Sequence, residues 1–285
     1  MKHTPFLAAV MAVAVLTLRP AIADKAERGI FSDNSFGASF NPLGVLLENS
    51  ISARLPLSSR PGMLWESARF EAGLQSSWTP ADEIFGLRVY YEPVAFFSLT
   101  GTAGAYGMYN TLGYGLYPFS SARDPYGPGL PKDVSPQSAG GTWCSLSPEL
   151  KLKAGHCILV NTVTANFISL GGPGFYLEVR SFALHKNRDA DLADNVNLLY
   201  EFDKRLLAGC VYRYFEVFGA RIESHRVNAL AVGLFPSSRF GNAFAAATAG
   251  YYVADPAFAH SAYLGMMVGT ELKCRFNRNN RKEQL

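Results

Sequence analysis

The chain has little charge and, after its first two dozen residues, no long hydrophobic run. Asp, Glu, Lys and Arg make up 17% of its 285 residues, where a soluble domain usually carries about a quarter. No second apolar stretch is long enough for a membrane helix, which excludes a helical bundle in lipid. Formal charge is only +3, and basic residues are not interleaved with aromatics in a way that suits nucleic acid; the Arg- and Lys-rich segment 275–282 has the character of a solvated end. Cysteine is scarce, and Cys144, Cys157, Cys210 and Cys274 form no CxxC or Cys/His metal spacing. Gly-x-Ser-x-Gly is absent. None of His156, His185, His225 and His260 pairs on one strand face as metal ligands would, and Ser224 and His225, as strand neighbours, point to opposite faces. These absences leave no catalytic constellation, no metal site and no cofactor site, so a non-enzyme is expected.

An N-terminal leader is present. Met1-Lys2-His3-Thr4 precedes an apolar run from Phe6 to Leu18, and Ala21-Ile22-Ala23 closes it before Asp24. A positive start, an apolar stretch of about a dozen residues and small residues two apart are what signal peptidase recognises, so residues 1–23 are expected to be a signal peptide. Its removal takes Lys2 and Arg19 with no acid, lowering the charge from +3 to +1.

The rest is short alternating segments. Leu47, Asn49, Ile51, Ala53 and Leu55 oppose Glu48, Ser50, Ser52 and Arg54. Ala68, Phe70, Ala72, Leu74 and Trp78 oppose Ser67, Arg69, Glu71, Gln75 and Ser77. The same period of two sets Phe85, Leu87, Val89 and Tyr91 against Arg88 and Glu92. It sets Leu146, Leu150 and Leu152 against Glu149, Lys151 and Lys153, and Leu198, Tyr200 and Phe202 against Asn195, Asn197 and Glu201. One apolar and one charged face is what a strand between lipid and a watery lumen needs, and an exported chain without a stop-transfer helix can span a membrane only as a closed barrel. Leu206–Val217 and Phe244–Tyr252 fit either register.

Turn signals at 58–62, 79–82, 92–93, 154–155, 203–204, 220–221, 236–238 and 255–256 leave eleven strands from Leu47 onward, and an even barrel needs one more near Ile30 to Phe40. The expected fold is an all-β, closed antiparallel transmembrane β-barrel of about 12 strands. It fills residues 24–276 and is followed by a polar tail, 277–285. With the C-terminus periplasmic, two long segments, about 110–141 and 170–191, both fall outside, where barrel loops are long. A rival count makes Phe175 to Leu184 a strand. The Pro/Gly-rich 110–141 segment could constrict the mouth, but its composition suits a mobile surface loop better. Trp65, Trp78 and Trp143 near strand ends, and Tyr106, Tyr109, Tyr251 and Tyr252 beside small residues, suggest interfacial anchors. Cys144 and Cys157, on one hairpin with Cys157 opposite about Leu152, lie roughly 25 Å apart along the ladder and cannot bridge, so free thiols are expected.

The alternation, the closing strand Leu264, Met266, Val268, Leu272, Phe276, and the order Asn41-Pro42-Leu43-Gly44, Arg54-Leu55-Pro56, Glu92-Pro93 and Gly113-Tyr114-Gly115-Leu116-Tyr117-Pro118 carry a resemblance. The chain resembles porin-like outer-membrane β-barrel proteins of Gram-negative bacteria, among them uncharacterised barrels of similar size. About nine polar residues follow Phe276, where the family pattern ends on Phe. The resemblance implies an outer-membrane location, outer-membrane lipid around the wall and the barrel-assembly machinery as a partner during insertion. A barrel this wide has a lumen side chains do not simply fill. The candidate pore-lining residues are Glu48, Arg54, Arg69, Glu71, Arg88, Glu92, Glu149, Lys151, Lys153 and Glu201. Their mixed signs fit either a narrow polar pore or a lumen closed by ion pairs. The expected function is a passive narrow channel for small hydrophilic solutes. The alternatives are a lipid-modifying outer-membrane enzyme, which would need a polar cluster on the lipid-facing wall, and a structural or adhesive barrel that binds a partner through its outer loops.

Overall fold

The computed structural model describes residues 26–60, 62–111, 115–124, 126, 136–171, 174–237 and 241–274. The expected signal peptide, Phe276 and the polar tail lie outside them. The strands are β1 (Gly29–Phe40), β2 (Gly44–Pro56), β3 (Arg69–Trp78), β4 (Asp82–Val94), β5 (Phe97–Met108), β6 (Pro118–Phe119), β7 (Ala139–Ala154), β8 (Cys157–Leu170), β9 (Phe175–Glu178), β10 (Ala183–Lys186), β11 (Asp189–Asp203), β12 (Leu206–Val217), β13 (Ile222–Ser237), β14 (Gly241–Ala254) and β15 (Ala262–Cys274).

Twelve of them close antiparallel in the order β1-β15-β14-β13-β12-β11-β8-β7-β5-β4-β3-β2, while β10, β9 and β6 form a separate three-stranded sheet. The barrel has the expected number, including the first strand over Ile30 to Phe40. The stretch 175–184 is not a wall strand. It is broken at 179–182, and its two halves pair with each other as β9 and β10.

Period-two patterning fixes which face each side chain takes. Leu47, Ile51, Leu74, Trp78, Phe85, Leu87, Val89, Leu146, Leu150, Leu152, Leu198, Tyr200, Phe202, Leu264, Met266 and Val268 are all exposed on the outside. In water such a belt would be a large unfavourable apolar surface; in lipid it is the matching one. With the wall closed, every strand edge is paired, so this is a transmembrane barrel of the outer-membrane type. Cys144, Cys157 and Cys210 are exposed, and all four cysteines are free. Cys157 stands opposite Ala154 rather than Leu152, because the hairpin turns at 155–156. The turn expected at Glu92-Pro93 falls after Val94 instead; the ladder slips between Tyr91 and Val94, where Pro93 cannot donate to it.

The two ambiguous strands settle as Leu207, Val211, Arg213, Phe215 and Val217 inward on β12, and Tyr252 inward with Tyr251 outward on β14. Glycine permits one close approach. Gly86 and Gly104 face each other on β4 and β5, and a Cβ on Gly104 would lie 2.2 Å from the carbonyl oxygen of Phe85.

Both ends of the described chain, and the short turns 155–156 and 204–205, lie at one end of the barrel. The described residues of the connections between β5 and β7 and between β8 and β11 lie at the other. The long-loop end contains the larger of two apolar cores. Leu116, Tyr117 and Phe119 from the first segment, and Tyr176, Leu177, Val179, Phe182 and Leu184 from the second, are buried there with the inward-facing Ile84, Tyr106, Trp143, Ile168, Phe215 and Tyr252. Leu116, Tyr117 and Phe119 of the 110–141 segment are thus packed into the mouth, while Asn110, Thr111, Ser120 and Arg123 of the same segment are exposed. Trp143 and Tyr106 are in this core, edge to face with centroids 5.5 Å apart, and Tyr252 is also inside; none of the three is an interfacial anchor. Trp65 and Trp78 remain exposed.

Candidate functional site: the lumen and its plug

All ten candidate pore residues lie on inward-facing positions, and their neighbours divide them into groups. At the short-turn end, Glu71 is the hub. Its Oε1 accepts from Arg54 Nε at 2.9 Å and Arg69 Nε at 2.8 Å, Oε2 accepts from Ser52 Oγ at 3.2 Å, and Arg88 Nη1 stands 3.9 Å from Oε2. Arg54 also reaches Glu271 at 2.6 Å, and Arg69 reaches Glu92 at 2.9 Å. Tyr90 donates to Glu92 at 2.5 Å, and Arg88 is 3.8 Å from Asp33. Further round the wall Lys151 pairs with Glu149 at 2.8 Å. Lys153 meets Glu201 at 2.5 Å on the rim. Glu48 is separate, in the other half of the barrel, accepting from Ser77 at 3.4 Å and Ser35 at 3.5 Å.

The charge-paired wall is therefore built by β1 to β4, β7 and β15. The opposite wall at the same depth is apolar. Ile158, Val160, Leu199, Leu207, Val211, Leu230, Val232 and Leu234 from β8, β11, β12 and β13 form the second core, with Phe244 and Ala246 of β14 against it. Sequence alternation predicts polar residues inside; these eight depart from it because they pack on one another instead of facing water.

Above this layer lies the plug, the hairpin β9–β10. It leaves the wall between β8 and β11 and crosses to β3 and β4. At its tip Arg180 pairs with Asp82, and its guanidinium donates to Ser77 Oγ at 2.7 Å and to the Ser77 carbonyl at 3.0 Å. Glu178, fully buried, accepts from Tyr106 Oη at 2.7 Å and from the backbone amides of Arg180 at 3.0 Å and Ser181 at 2.6 Å. A buried carboxylate with three donors and a buried guanidinium with a carboxylate partner is how charge survives desolvation.

His185, also fully buried, stacks on Tyr176 with centroids 6.0 Å apart. Its Nε2 is 3.1 Å from Ser181 Oγ and 3.9 Å from Asp191 Oδ2, and burial holds the imidazole below its ordinary value. Serine, histidine and aspartate here do not make a nucleophilic triad: both partners face the same ring nitrogen, and Nδ1 has no hydrogen-bond partner among the described residues. Sequence reasoning named none of Asp82, Glu178, Arg180 and Asp191, because nothing local marks residues that meet only across the lumen.

A polar row on the outer wall was likewise missed. Asn161 donates to Asp194 at 2.5 Å, Tyr212 is 2.8 Å from His225 Nδ1, and Tyr214 donates to Glu216 at 2.8 Å. Tyr-x-Tyr-x-Glu on β12 beside Glu-x-His on β13 was the available signal. Among the described residues no serine, threonine or cysteine is hydrogen-bonded to His225, and no group of three His, Cys, Asp or Glu could hold a metal.

No family model and no curated protein matches the chain. Solved structures similar to it include the COG4313 outer membrane channel from Pseudomonas putida F1, at 12% identity and TM-score 0.42, over 89% of this chain and 99% of that one. The KdgM porin is similar at 10% identity and TM-score 0.39, over 86% and 99%. The translocator domain of the autotransporter NalP from Neisseria meningitidis is similar at 9% identity and TM-score 0.45, over 89% and 91%. What the geometry of the chain itself establishes is an outer-membrane β-barrel of twelve strands with its long-loop mouth filled.

Proposed function

We propose that this barrel is a narrow outer-membrane channel for small hydrophilic solutes, closed at its outer mouth by the β9–β10 hairpin. The reading rests on one observation above others: the hairpin crosses the lumen and is held on the far wall through Arg180, Asp82 and Ser77, polar contacts that can part and reform. An apolar filling alone would close the barrel permanently. Below the hairpin, the paired charges from Arg54 to Lys151 offer a solute alternating donors and acceptors, with near-balanced sign and hence weak ion selectivity.

Planar-bilayer conductance tests it. The intact protein is expected to conduct rarely, and deletion of 175–186 bridged by a short Gly/Ser linker is expected to give stable open steps. A correctly folded deletion variant that never conducts would replace the channel with a filled structural barrel.

A further inference from the structure

A second site lies on the outer surface, apart from the lumen. A cleft of about 780 Å³ is bounded by residues 120–124, Tyr126, Phe175, the 219–223 turn and Pro256. That is the size of a pocket for a small ligand. Its apolar part includes the rings of Tyr126 and Phe175, and its polar part includes Arg123 and Arg221.

The charges of this cleft are not balanced by their surroundings. Neither Arg123 nor Arg221 makes a side-chain ion pair among the described residues, and Lys186, whose Nζ stands 5.5 Å from the Phe175 ring, makes none either. Asp124 also lines the cleft, but its carboxylate is engaged within its own loop. Oδ2 accepts from the amides of Ser120 and Ser121 at 2.8 and 2.9 Å and from Ser120 Oγ at 2.9 Å. That leaves Glu223 as the one lining acid whose side chain makes no hydrogen bond or ion pair among the described residues. Arg123 and Arg221 thus place two guanidinium groups without a carboxylate partner among the described residues on one concave surface.

We infer that this cleft binds a phosphorylated sugar, with Arg123 and Arg221 on the phosphate and the Tyr126 and Phe175 rings against the face of the sugar ring. Guanidinium is the side chain whose fork geometry matches phosphate, an aromatic face suits the C–H side of a pyranose, and Ser121, whose Oγ accepts from the Arg123 amide at 3.1 Å, adds a hydroxyl donor at the edge. The β12–β13 turn is at the outer rim of the wall, so the same chemistry could arrive as a soluble sugar phosphate or as the headgroup of a phosphorylated glycolipid in the outer leaflet. The site is independent of whether the barrel conducts.

Calorimetry on the folded full-length barrel in detergent tests the inference, with glucose 6-phosphate, glucose, and micelles of a diphosphorylated lipid A as probes. Binding of either phosphorylated probe at least about tenfold tighter than glucose is expected, falling about tenfold or more in Arg123→Gln/Arg221→Gln. Glu223→Gln, which removes a like charge to the ligand, should strengthen it. Lipid A alone binding identifies the headgroup as the source; glucose 6-phosphate binding identifies a soluble ligand. Equal affinity for glucose, unchanged affinity in the double arginine variant, or no binding by either phosphorylated probe overturns the inference. Heat-modifiable gel mobility of each variant separates lost binding from lost folding.

Discussion

Replacing Arg180 by Met keeps the length and apolar stem of the side chain but leaves Asp82, fully buried, without its cation. Removing one partner of a buried pair costs roughly 3–5 kcal/mol, much of it the penalty of a stranded charge. Because Arg180 belongs to the hairpin and Asp82 to the wall, that cost falls on docking of the hairpin and not on closure of the barrel. At about 1.4 kcal/mol per decade, the equilibrium for hairpin release should shift by roughly 10² to 10³·⁵. Amide hydrogen exchange followed by mass spectrometry reads this directly. Peptides covering 175–186 should exchange faster by about that factor, while wall peptides from β3, β4 and β13 keep their protection. Pairing R180M with Asp82→Asn should recover a large part of the loss, since both halves of the pair are then neutral. Unchanged exchange of 175–186 in R180M would refute the view that this contact holds the mouth closed.

Acid should loosen the same hairpin. The His185 imidazole is held below its ordinary value of about 6.5 by burial, so the unfolded or undocked form takes up the proton more readily, and docking stability present above that value is lost as pH falls through it. Glu178, Asp189 and Asp191 face the ring and Tyr176 stacks on it; His185→Asn should flatten the pH dependence of exchange between pH 7.5 and 5. Glu71→Leu removes the carboxylate shared by Arg54 and Arg69, leaving them Glu271 and Glu92, and should lower barrel stability by roughly 1.5–3 kcal/mol, read as an earlier urea midpoint in the heat-shift gel assay. Gly104→Val places a branched side chain against the Phe85 carbonyl and should lower the yield of heat-modifiable barrel, where Ala103→Val, on the exposed face, should not.

The wall was legible because its two faces meet unlike solvents. β2, β3, β4 and β7 carry both charge signs inward and Leu, Phe or Trp outward, so period-two reading gave their faces and, with the turns, their number. Reading failed where the inner face meets protein. Ile158, Val160 and Leu199 look lipid-facing by polarity yet point inward, and Phe175 to Leu184 alternates like a wall strand because it too lies between unlike surroundings, the apolar mouth core and the polar lumen. The candidate charges were found as inward residues, but their partners Asp33, Tyr90 and Glu271 were not. Arg180 and Asp82 are joined only by the closed geometry, which no local window contains.

The seam between β1 and β15 runs in unbroken register from Ile30 opposite Cys274 to Phe40 opposite Leu264. It joins the first strand of the barrel to the last. Until β15 is delivered, β1 and β14 each present a full edge of unpaired amides and carbonyls to hydrocarbon, at several kcal/mol for each unsatisfied group. No partial barrel is a resting point in lipid. The chain must therefore be held, edges covered, for as long as its C-terminal strand is missing, and a truncation that removes β15 should yield no smaller barrel but a chain stalled at its point of insertion.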